Sequence, residues 1–104
     1  MAKPHRILPA DCHSMTALRD QIDSIDGELI SLLSERARFI DRAIDLKRIE
    51  GLPARTADRV VEVISAVRAL ARTKDLDPDL VEDLWRILIE WGIARETPHL
   101  HGDG

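Results

Sequence analysis

An unbroken helical pattern from about Thr16 to Ile49 constrains this chain more than any other feature. Ser14 or Thr16 can cap its start, and the stretch EGLP, Glu50 to Pro53, ends it with a glycine and then a proline. At 1.5 Å per residue the pattern makes a rod of roughly 50 Å, too long for two shorter helices to cover. Its apolar seam of Leu18, Ile22, Ile25, Leu29 and Leu32 advances in alternating steps of four and three, then continues at Phe39, Ile40 and Ala43. Two positions that the seam should fill with apolar residues hold permanent cations instead, Arg36 and Lys47.

Two shorter helical patterns follow. One begins after RTADR, with Thr56 as N-cap and Asp58 in its first turn, and has Val60, Val63, Ile64, Val67 and Leu70 or Ala71 on its apolar face. The other begins at LDPDL, where Asp77 caps, Pro78 takes the first helical position and Asp79 suits the positive helix end. Its face carries Leu80, Leu84, Ile87, Leu88, Trp91 and Ala94, with Trp85 and Trp91 read as core. The fold class is all-α, one long helix and two shorter ones. Residues 1–13 form a flexible leader, 14–97 the helical domain and 98–104 a disordered tail. A single chain cannot bury the long seam, so two copies packed along it are expected; an elongated monomeric three-helix bundle is the alternative.

A chain of 104 residues with formal net charge -4 has no electrostatic reason to bind nucleic acid or an anionic membrane. The single Cys12 excludes an internal disulfide and a cysteine-based zinc site, which suits a reducing cytoplasm. No segment reaches signal-peptide or membrane-spanning length. His5, His13, His99 and His101 all lie outside the helical body, so neither a metal nor another cofactor is expected.

The cations point to a small anion. Arg36 and Lys47 are eleven residues apart, which returns to within about 20° of one helix face and about 16 Å along the axis, so their long side chains can converge. Arg59 opens the next helix, where backbone donors also favour anions. Ile40, Ala43 and Ile44 would wall the pocket. Arg19 lies about 25 Å before Arg36 and roughly 100° around the rod, so it reaches the same ligand only from a partner chain running antiparallel. Each cation has a structural reading too. Arg36 could pair with Glu35, Asp41 or Glu90, and Lys47 could simply complement the helix dipole. Glu96 sits near the end of the third helix, a poor place for a negative charge. A coiled-coil interaction module is the structural alternative, although it has no need of Arg36 and Lys47 in its seam.

The stretch ALRDQIDSIDGELISLLSERARFIDRAIDLK, the DR of Asp58 and Arg59, and the closing LIEWGIARE resemble the all-helical chorismate mutases of bacteria. The spacing LRxxIDxIDxxLxxLLxER, with a lysine eleven residues after its last arginine, is specific, and the resemblance covers about Thr16 to Glu96. The leader PADCHSMTALRDQIDSID, the DRV of 58–60 and IEWGIA are most similar to the isochorismate-pyruvate lyase branch. The resemblance implies an intertwined homodimer with two shared sites for chorismate or a close relative, a dicarboxylate. Arg36 and the Arg19 supplied across the interface would bind carboxylates, with Arg59 nearby. Lys47 would donate to the ether oxygen and Glu96 would face it from the other side. Thr56, Val60, Gly92 and Ile93 would complete the pocket.

The same comparison divides the activity between two reactions. Many bacterial mutases have glutamine where this chain has Glu96, so a carboxyl there must be protonated to help the breaking bond. Thr56 and Val60 stand where typical mutases place Asp and Glu near the ring hydroxyl, and Gly92 replaces a small polar residue. The lyase branch also lacks those acids. The implied function is rearrangement of chorismate to prephenate, with loss of pyruvate from isochorismate to give salicylate as the alternative and a non-catalytic helical module as a distant third.

Overall fold

The computed structural model describes residues 6–100, and all regular structure among them is helical. Three α-helices, α1 (Met15–Glu50), α2 (Ala57–Thr73) and α3 (Pro78–Glu96), are framed by single 3-10 turns at Pro9–Asp11 and Thr97–His99. The chain divides into two compact units, Met1–Arg38 and Phe39–Gly104.

In the first unit Ser14, rather than Thr16, caps α1: its Oγ accepts from the Ala17 backbone N–H at 3.1 Å. The described part of the leader makes two contacts with α1. The Ile7 N–H donates to Gln21 Oε1 at 3.0 Å and Arg6 forms an ion pair with Glu28. These anchors arise because Gln21 and Glu28 are seven residues apart and so lie along one stripe of α1. Residues 1–5, with His5, lie outside the described region. The seam itself stays open: Ile25 is 41% exposed and Leu32 60%.

In the second unit α1 ends in a Schellman motif. Gly51 adopts φ 72°, the Leu52 N–H donates to the Lys47 carbonyl at 2.8 Å and the Gly51 N–H to that of Arg48. α2 ends the same way, with Asp75 in the left-handed position at φ 54° and the Leu76 N–H on the Ala71 carbonyl. At the start of α3 the Asp77 side chain accepts from the Asp79 N–H, as its sequence predicts. Thr56 does occupy the N-cap of α2, but its side chain makes no capping bond; only its carbonyl engages, accepting from Arg59 and Val60.

α2 and α3 pack against each other, and the buried apolar core among the described residues is Ile64 and Ala71 of α2, Val81 of α3 and Ala54. Arg68 of α2 braces the pair by reaching Asp79 and Glu82 of α3 at 3.0 and 2.8 Å. The buried face of α3 is not the stripe expected from sequence. Val81, Gly92 and Glu96 are buried, while Leu80, Leu84, Ile87 and Trp91 are exposed. α3 is apolar on more than one side, and a 3.6-residue period cannot say which stripe meets α2. Trp91 is accordingly a surface residue with the Arg95 guanidinium 5.3 Å from its ring centre. At the start of the tail Thr97–His99 forms a 3-10 turn, and the His99 carbonyl accepts from Arg48 Nε at 3.1 Å. Residues 101–104, including His101, lie outside the described region.

Candidate active site

Among the described residues of the second unit, a largely buried charged pair joins two of the residues singled out in the sequence. Lys47 Nζ donates to Glu96 Oε1 and to the Ala54 carbonyl, each at 2.7 Å. The lysine side chain is 19% exposed and the glutamate 5%. Glu96 closes α3, where the helix dipole disfavours a negative charge, and the ammonium of Lys47 removes that conflict. Lys47 belongs to the last full turn of α1, and the Schellman motif brings the following loop back over it. Ala54, 2% exposed, thereby presents a buried carbonyl that the ammonium satisfies. An ammonium has three donors, so one N–H remains for another acceptor.

The loop is pinned from its other side. Arg55 makes a bidentate pair with Glu90 of α3, Nη2 to Oε1 at 2.7 Å and Nη1 to Oε2 at 2.9 Å. That pairing holds the Glu90 carboxyl below its usual range, chiefly through the hydrogen bonds from Arg55. Arg95 Nε meets Asp41 Oδ1 at 2.5 Å and lowers that carboxyl in the same way. An open cleft of about 240 Å³ lies beside Lys47, lined also by Arg48, Gly51, Leu52, His99 and Leu100.

Asp41 and Glu90, two carboxylates that could have neutralised Arg36, are thus engaged by Arg95 and Arg55. Among the described residues neither Arg36, half-buried, nor Arg19, exposed, has a carboxylate partner. Arg59 differs: its side chain is two-thirds exposed and pairs with Glu62 one turn on. Thr56, Val60 and Ile93 are half-buried and Gly92 is buried. A Cβ at Gly92 would sit 3.6 Å from Ile40 Cδ1, so this position borders one of the expected pocket walls. Sequence reasoning missed Ala54 and Arg55. Ala54 acts through its backbone, and the Arg55–Glu90 pair spans 35 residues with no local signal. Among the described residues no group of three or more His, Cys, Asp or Glu could hold a metal ion, and no helix is long and apolar enough to cross a membrane.

The profile of the chorismate mutase type II family matches residues 18–97. The chain belongs to that family. Its similarity to the T-protein of Enterobacter agglomerans is 38% identity over 83 residues, 80% of this chain and 22% of that protein. The chain therefore spans about a fifth of the T-protein's length. It is 30% identical over 92 residues to the isochorismate pyruvate lyase of Pseudomonas aeruginosa, covering 88% of this chain and 89% of the lyase. With the chorismate mutase of Methanocaldococcus jannaschii it shares 24% identity over 83% of this chain and 87% of that enzyme. In this chorismate mutase type II chain, every residue expected in the pocket, from Arg19 to Glu96, falls inside the matched span.

Proposed function

We propose that the chain converts chorismate to prephenate in a cationic pocket shared by two copies, with Arg19 contributed by the partner copy. The observation that carries this reading is the buried Lys47 ammonium, held at 2.7 Å by both Glu96 and the Ala54 carbonyl with one N–H to spare. The reaction is a concerted rearrangement in which the ether C–O bond breaks as a C–C bond forms. It needs no nucleophile and no net proton transfer. An enzyme accelerates it by holding the compact conformer and stabilising charge that gathers on the ether oxygen.

The residues divide that work. Arg36 and the partner copy's Arg19 bind the two carboxylates, and their freedom from carboxylate partners among the described residues supports this. Lys47 gives its remaining N–H to the ether oxygen. Glu96 accepts from Lys47 and fixes its ammonium in place for that contact. Arg59 helps only after leaving Glu62. Thr56, Val60, Gly92 and Ile93 shape the ring end. The open seam of α1 and the exposed stripe of α3 supply the apolar surface that pairing of two copies buries.

Loss of pyruvate from isochorismate is the second reading. Val60 offers no acceptor to a ring hydroxyl, and the Pseudomonas aeruginosa lyase matches this chain along 89% of its own length. Product analysis with chorismate and isochorismate in parallel, from about pH 5 to 8, separates the two. Prephenate formed at the higher kcat/KM supports the mutase. Salicylate with pyruvate makes the chain a lyase, and neither product leaves a non-catalytic helical module.

A further inference from the structure

We infer that Arg55 and Glu90 form a latch that holds the α1–α2 loop closed on Lys47, making both of them positioning residues for its ammonium. The loop has few ways to stay in place. It follows the left-handed Gly51 and contains Pro53, and anchoring contacts from its far half tie it to the helices. One is the Ala54 carbonyl on Lys47 Nζ at 2.7 Å. Another, from the next residue, is the bidentate Arg55–Glu90 pair to α3.

The two contacts come from adjacent residues, so they act together. Lys47 alone cannot fix the loop, because its ammonium would follow the carbonyl wherever the loop moved. The Arg55 fork fixes the peptide that follows Ala54 against α3, and Glu96 six residues along α3 from Glu90 fixes the ammonium from the same helix. Lys47 is therefore held between two points referenced to α3, one direct and one through the loop. Its third N–H then has a single direction. Release of Arg55 would leave Glu96 as the only fixed partner and let the ammonium swing about it. A planar guanidinium fork sets a carboxylate's direction as well as its distance, which a lysine in its place could not do.

As a statement about catalysis this rests on Lys47 serving as the ether-oxygen donor; as a statement about the loop it does not. The test reads both. Lys47 is one of three lysines, with Lys3 and Lys74, so its reductive methylation is followed residue by residue by mass spectrometry, with exposed Lys74 as the internal reference. Relative to Lys74, Lys47 in E90A and in R55A is expected to label about fivefold faster than in the unaltered chain. The reversed pair R55E/E90R is expected to restore slow labelling, whereas R55K does not. In turnover the single variants lower kcat with KM nearly unchanged, since binding arginines are untouched. Unchanged Lys47 labelling in E90A of native helical content overturns the latch, as does failure of the reversed pair to restore it. Labelling needs no substrate, so it decides the latch even if the chain turns over neither acid.

Discussion

Replacing Lys47 by methionine keeps most of the side chain's length and removes its charge. The Glu96 carboxylate, with 5% of its side chain exposed, then loses its cation. Leaving a buried charge without its partner costs about 3–5 kcal/mol. The Ala54 carbonyl also loses its donor, a further penalty of about 1–3 kcal/mol when no water reaches it. The two are coupled through one ammonium and do not add, so about 4 kcal/mol is the expected loss. Glu96→Gln is milder. The amide keeps an oxygen for Lys47, which still holds the Ala54 carbonyl and has 19% of its side chain in contact with solvent. Its cost is about 1–2 kcal/mol. Urea unfolding followed by far-UV circular dichroism, at one fixed protein concentration and pH 7, measures both. K47M should lose about 2–3 kcal/mol more than E96Q. Equal losses, or a K47M variant within about 1 kcal/mol of the unaltered chain, would refute the description of this pair as buried and mutually dependent.

Acid should unfold the protein through three carboxylates whose folded-state values lie below their ordinary ones. These are Asp41 held by Arg95, Glu82 by Arg86 and then Arg68, and Glu90 by Arg55. A lowered carboxylate contributes stability above its unfolded value, near pH 4, and loses it as pH falls through the folded value. Melting temperatures measured downward from about pH 6 should fall more gently in D41N and E90Q than in the unaltered chain. Gly92→Ala places its Cβ at ordinary contact distance, 3.6 Å from Ile40 Cδ1. The variant should be stabilised by up to about 1 kcal/mol from helix propensity while KM rises, which a thermal melt and steady-state kinetics read separately.

Features set by neighbours in sequence were legible. Gly51 and Pro53 end α1, and Asp77, Pro78 and Asp79 start α3, because caps and stops are decided within one helical turn. Arg36 and Lys47 stood out because a cation on an apolar seam breaks a local period. Some of what the sequence left open was set by distant partners, and some by side-chain choices within a turn. Glu96 carried a visible conflict with its helix dipole, but its resolution by Lys47 lies 49 residues away. Thr56 has the residue type and the extended backbone of a cap, yet its side chain makes no capping bond. Arg59 was read as an anion ligand, and Glu62 on the same face one turn later engages it. The stripe of α3 that meets α2 was ambiguous because both candidate stripes are apolar.

The central claim is a site completed only by a second copy, and mixing two inactive variants tests it most directly. R19A and R36A each remove an arginine with no carboxylate partner among the described residues, so each should fold within about 0.5 kcal/mol of the unaltered chain and have almost no turnover. Unfolded together in equal amounts and refolded, they should form mixed dimers in which one site holds Arg36 from one copy and Arg19 from the other. Random pairing makes about half of the dimers mixed and restores about a quarter of all sites. Recovery near a quarter of unaltered turnover is the predicted result. A mixture no more active than either variant alone would contradict the shared site.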